Sequence, residues 1–196
     1  RVPLTLRGEV GMSTLDTNTR DTTAGSSSKG IRLDAYTQIG PWGLQGYFEK
    51  AGSAFQSLSG SAAGNRALYR LDARAPMSPQ AYLSLSYENS KDNVSGTQTT
   101  TTTIQSPRAV LSYTPVLSYR DLAIDLSYHL RNQRADDNTR NEQRDFMQFG
   151  MRHRVGGLRL QLGLDTAVNR DAITGANDLR TGGTTISFMP ATPLSL

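Results

Sequence analysis

Successive side chains of a β-strand point to opposite faces, so a stretch in which apolar and polar residues alternate one by one folds most naturally into a strand with one greasy and one wet face. This chain repeats that pattern along nearly its whole length. Val2, Leu4, Leu6, Gly8, Val10 and Met12 alternate with Thr5, Arg7 and Glu9, and Ile31, Leu33, Ala35, Thr37 and Ile39 with Arg32, Asp34, Tyr36 and Gln38. Leu44, Gly46 and Phe48 oppose Gln45, Tyr47 and Glu49; Tyr69, Leu71, Ala73 and Ala75 oppose Arg70, Asp72 and Arg74. The rule continues over 81–88, 108–113 and 122–131 and loosens over 147–154. It is cleanest at Leu158, Leu160, Leu162 and Leu164, and short and weak near Thr184, Ile186 and Phe188. Leu and Ala are nowhere spaced at three and four residues for long, so no helical stretch competes.

The connections carry a second signal. Long polar segments (Ser13 to Lys29, Gly52 to Arg66, Ser90 to Ser106, Asn132 to Arg144, Asn169 to Thr181) alternate with short turn-like ones. The short ones are Gly40-Pro41-Trp42-Gly43, Pro76-Met77-Ser78-Pro79, the stretch from Pro115 to Arg120, and Val155-Gly156-Gly157, all with turn chemistry. Strict alternation puts all long loops at one end of the sheet, and an even strand count puts both termini at the other.

Aromatic residues carry a third. On the apolar face Phe48, Tyr69, Tyr87, Tyr128 and Phe149 lie toward the long-loop ends, and Trp42, Tyr113 and Phe188 toward the short-turn ends. Two such rows are the girdles that tyrosine, tryptophan and phenylalanine form where lipid meets water. Strands of about nine to eleven residues suit a tilted membrane crossing, whereas soluble strands more often run to about five or six. A hydrophobic fraction of 36% does not argue against this, because a membrane strand shows lipid only every second residue.

In these respects the chain resembles the outer-membrane β-barrel superfamily, over nearly all of its length and by pattern rather than by motif. The resemblance implies an all-β fold: one domain over residues 1–196, a transmembrane antiparallel up-and-down β-barrel of about ten strands, complete or part of a larger barrel. Superfamily members end in an alternating strand with a terminal aromatic, which Thr184-Thr185-Ile186-Ser187-Phe188 resembles, although Met189-Pro190 and a short tail follow. Alternation by itself also fits a soluble β-sandwich or lipocalin-like barrel with its apolar face inward. No run is long enough for a membrane helix and no signal peptide opens the chain, so we expect a mature product or a segment of a longer one.

If the apolar face meets lipid, the other lines a lumen. That face carries Arg7, Glu9, Arg32, Asp34, Glu49, Arg70, Asp72, Arg74, Glu88, Arg108, Asp125, His129, Arg131, Arg152, Arg154, Arg159 and Asp165. In a narrow closed barrel these groups are expected to pair across the lumen, because an isolated buried charge is costly. The alternative is a conducting pore for small solutes or ions, in which Arg131, Arg152, Arg154 and Arg159 make one wall cationic and favour anions. A third possibility is a structural anchor, adhesin or receptor acting through the long loops at the cell surface.

Other chemistry is weakly supported. Omptin proteases are also ten-stranded outer-membrane barrels, but Asp125 and His129 stand four residues apart on one strand, roughly 13 Å, and His153 falls on the apolar face, so no enzyme is expected. The chain has no cysteine, and Asp136-Asp137-Asn138 and Asp16 with Asp21 lack calcium-loop spacing, so no metal or cofactor is expected. The net charge of +4 is spread along the chain without a basic patch, which argues against nucleic acid. The expected partners are outer-membrane lipid and, where the barrel is larger, other barrel strands or subunits; the expected location is the bacterial outer membrane.

Overall fold

The computed structural model describes residues 2–15, 26–53, 55, 64–115, 122–155, 158–181 and 185–190. They form β-strands in one antiparallel sheet whose spatial order is the chain order. The strands are β1 (Leu4–Leu15), β2 (Ser26–Ile39), β3 (Trp42–Ala51), β4 (Arg66–Ser78), β5 (Ala81–Asp92), β6 (Thr102–Tyr113), β7 (Ala123–Ala135), β8 (Asn141–Val155), β9 (Leu158–Asp171), β10 (Asn177–Thr181) and β11 (Thr185–Pro190). β10 pairs with the half of β9 near the long loops and β11 with the half near the short turns, so together they fill the tenth position. The segment 177–181, expected to belong to a loop, is therefore strand.

Two further expectations are corrected. Strands β5 to β9 run into their expected loops on the long-loop side, so that the hairpins closing at 93–101, 136–140 and 172–176 are shorter than the polar segments suggested. Ladder hydrogen bonds continue after the apolar contrast ends, because serine, threonine and asparagine pair their backbones as well as leucine does. Likewise Pro76 to Ser78 belong to β4, with a register shift between Pro76 and Ser78. A proline is tolerated at such a bulge, where a ladder donor is not needed.

The turn after β2 needs only two residues, Gly40 and Pro41, with Gly40 at φ +57°. A positive φ at the first turn residue matches the strand twist and suits glycine, and Ile39 opposite Trp42 sets the register of the β2–β3 ladder.

Closure is not part of the fold as described: among the described residues no ladder joins β1 to β10 or β11, and the sheet is open. Nor does it enclose an apolar core. The buried apolar side chains among the described residues are alanines, Ala51, Ala67, Ala75, Ala135 and Ala167, while Leu71 is 63% and Leu126 48% exposed. Burying a leucine contributes about 1.5–3 kcal/mol, and ordering each residue costs about 1–2 kcal/mol, so a few alanines cannot stabilise a sheet of this size in water.

Candidate functional site

The registers sort every strand residue onto one of two faces, and the candidate site is the polar one. Arg7 stands opposite Asp34, Glu9 opposite Arg32, Arg32 opposite Glu49, Tyr47 opposite Arg70, and Arg70 opposite Glu88, a ladder of alternating sign across β1 to β5. All seventeen residues expected on this face fall on it by register; the side chains of Arg154 and Arg159, like that of Phe188 on the other face, lie outside the described ones.

The charges do not wait for partners across a lumen. Arg32 binds Asp34 at 3.0 Å and Arg70 binds Asp72 at 2.9 Å, each two residues along one strand. Arg152 reaches diagonally to Asp125 at 3.2 Å, and Asp125 also accepts the Ser112 hydroxyl at 2.7 Å. Arg32 lies 5.1 Å from the ring centre of Tyr47, whose hydroxyl donates to Glu49. This pairing is lateral, within the sheet. It is available because same-face neighbours in a sheet stand only about 5–7 Å apart.

Arg144, expected at the end of a long loop, stands directly opposite Arg131 on the same face, and Arg108 stands opposite His129. Counting back in twos from Gln148 would have found Arg144. Asp125, held by Arg152 and Ser112, is not arranged as a base for His129.

Both faces of the open sheet are accessible, and on the polar one Arg70, Arg74, Arg108, Arg131 and Arg152 are exposed. Glu49, Ser90 and Ser127, the buried polar strand residues described, all lie on the polar face, whereas Leu33, Leu71, Leu85, Leu111, Leu126 and Leu164 are 41–63% exposed on the other.

The apolar band also drifts across the ladders. From Phe48 the directly opposed residues are Tyr69, Asn89, Gln105, Asn132 and, on β8, Gln143. The aromatic on β8 is Phe149, six residues nearer the short turns. Six residues are about 20 Å and five strand spacings about 24 Å, which gives a slope of roughly 40°. Barrel strands tilt by about 35–45°. The lower row drifts the same way: Trp42 lies two residues, and Tyr113 four, from the row Leu44, Ala73, Leu85, Ala109. Compared with known protein families, curated proteins and solved structures, the chain matches none.

At the long-loop end the described connections are tied into a rim. Asn65 accepts the N–H of Ser95 at 2.9 Å and lies 3.2 Å from the Thr97 hydroxyl. Thr100 donates to Asp137 at 2.7 Å, Thr101 N–H to Asp136 at 2.9 Å, and Ala172 N–H to the carbonyl of Asn141 at 3.0 Å. Asp136 and Asp137, read from sequence as solvated, are exposed but bound to the neighbouring connection. Phe55 turns inward: its ring lies where a Cβ on Gly30 would come within 2.6 Å, and on Gly11 within 3.1 Å. Only glycines leave that room, a reason for the pair that alternation cannot show. Leu58, Asp16 and Asp21 lie outside the described residues.

Hydrogen bonds from the Thr101 N–H to Asp136 and from the Thr100 and Thr139 hydroxyls to Asp137 hold both carboxyls below the usual aspartate range. A carboxyl depressed on folding stabilises the folded loop above its unfolded pKa, and that contribution is lost as pH falls through the folded one. Protection of the Thr101 amide, taken relative to its intrinsic exchange rate at each pH, should therefore be high at neutral pH and fall only below the ordinary aspartate range; protection unchanged down to strong acid contradicts this.

Proposed function

We propose that this chain is the wall of a transmembrane β-barrel in the bacterial outer membrane and conducts small ions or solutes along its polar face. The observation that carries the reading is the exposed apolar band between two aromatic rows, drifting across the strands at a barrel tilt. In water that band is unfavourable; in lipid it becomes the solvated surface. Barrels also need paired edges, since unpaired backbone groups cost several kcal/mol each in lipid. The edges β1 and β10/β11 run in opposite directions, so each suits the other or further antiparallel strands. Lateral ion pairing favours a conducting lumen over a polar plug, because the wall satisfies its own charges.

The selectivity follows from the unbalanced part of the wall, where Arg131 faces Arg144 and Arg108 faces His129. Planar-bilayer recording in a salt gradient should give discrete conductance with a preference for anions. Reversing both charges, Arg131→Glu with Arg144→Glu, should move the reversal potential toward cation preference. Absence of channels sinks the pore; channels indifferent to the reversal sink the assigned wall.

A further inference from the structure

The face that meets lipid carries a second, unassigned feature at its long-loop end. Every lysine in the sequence, Lys29, Lys50 and Lys91, falls on this face, joined by Arg134 and Arg170. Lys50, Ala67, Lys91, Thr103 and Arg134 are successive directly opposed residues, one row across β3 to β7. The cations of that row therefore stand about 10 Å apart, two strand spacings each. Lys29, Lys50 and Arg170 lie two residues beyond Ile31, Phe48 and Val168, and Lys91 and Arg134 four beyond Tyr87 and Leu130, so the cations track the upper border of the apolar band.

The distribution is one-sided. Among the described side chains the rest of this face, down to the short turns, has no Lys or Arg. Its acid is Asp145, already held by the Tyr128 hydroxyl at 2.7 Å and by Arg170 at 2.7 Å. Lys29, Lys50, Lys91 and Arg134 are exposed and have no acidic partner among the described residues. Cations without an acidic partner among the described residues, fixed just above the acyl region of one leaflet, complement a layer of negative headgroups.

Resting on the membrane reading above, we infer that this belt binds the phosphates of anionic lipids in the leaflet at the long-loop end. Long lysine and arginine stems lie along the apolar border while their heads reach the phosphate level. Among the described side chains of this face the opposite end carries no such cation, so the belt also holds the barrel at one depth and in one orientation.

The test uses the protein reconstituted in phosphatidylcholine vesicles and spin-labelled lipid, reading the association constant of phosphatidic acid relative to phosphatidylcholine at the protein surface. A preference of roughly fivefold is expected, the factor corresponding to about 1 kcal/mol per cation near a membrane surface. The triple variant Lys50→Gln, Lys91→Gln, Arg134→Gln should bring the ratio close to one, and Lys50→Arg, Lys91→Arg, Arg134→Lys should keep it. Should the neutral variant fail to insert, the native preference must fall with added salt. A native ratio of one, a preference indifferent to salt, or one that survives neutralisation overturns the belt. So does saturable binding of inorganic phosphate without lipid preference, which would mark a free-anion site. Failure of the native protein to insert into phosphatidylcholine overturns the membrane reading and the belt together; insertion with a ratio of one overturns the belt alone.

Discussion

Leu126→Arg is expected to destabilise the inserted protein by about 2–4 kcal/mol, the cost of an arginine facing lipid near the bilayer midplane. Leu126 suits the test because it sits in the middle of the band on β7, with Leu111 and Phe149 directly opposite on either side, and is 48% exposed. In water an arginine at such an exposed position would cost almost nothing. The substitution therefore separates lipid from water as the medium of this face more sharply than any deletion of contacts. Gln148→Arg, on the polar face of β8 and also exposed, is the matched control and should change stability little. Urea unfolding in phospholipid vesicles, followed by the heat-modifiable folded band on a gel, measures both. Equal behaviour of the two variants would remove the argument for membrane insertion.

Asn93→Ala is expected to cost about 2–3 kcal/mol and to free the connection between β5 and β6. Asn93 is buried and adopts a positive φ of 51°. Its amide donates to the carbonyls of Gln98 at 2.8 Å and Thr100 at 3.2 Å, and its oxygen accepts the Gln98 N–H at 2.9 Å. Truncation removes these hydrogen bonds to Gln98 and Thr100, a net loss of about 0.5–1.5 kcal/mol, and places alanine in a left-handed conformation that disfavours it by roughly 1–2 kcal/mol. Asn93→Gly relieves the second cost and not the first, so it should recover only part of the loss. Denaturant unfolding and amide exchange over 94–101 read the outcome; unchanged protection in Asn93→Ala would show that the rim holds without this hub.

The rim also shows how the loops relate to function. Asn65, Asp136 and Asp137 use their side chains on neighbouring connections and Asn93 on its own, which ties the long-loop end together without large apolar residues. A surface receptor would more naturally present aromatic anchors outward, yet Phe55, the large aromatic described there, packs over Gly11 and Gly30.

Much of this was legible from residue order. The apolar and polar faces of each strand and the seventeen polar-face residues follow from a period of two, which is local backbone geometry and needs no partner strand. The expected alternation of long and short connections, by contrast, does not hold: 114–122, on the short side, is longer than 136–140 and 172–176. Where the local signal faded, the reading failed for an identifiable reason. Strand ends rich in serine and threonine look like loops because nothing there alternates, and Asn177–Thr181 was lost for the same reason. Pro76 looked like a turn because proline usually ends a ladder, whereas a bulge accommodates it.

Amino-acid order alone thus determined that the chain builds two-faced strands, and which side chains share a face. Only the tertiary structure decided how those strands are offset against one another. Register depends on turn length, bulges and cross-strand fit, so it is invisible to any single strand. From register alone come the diagonal drift of the aromatic rows, the pairing of Arg152 with Asp125, the meeting of Arg131 with Arg144, and the row that gathers lysines far apart in sequence onto one border.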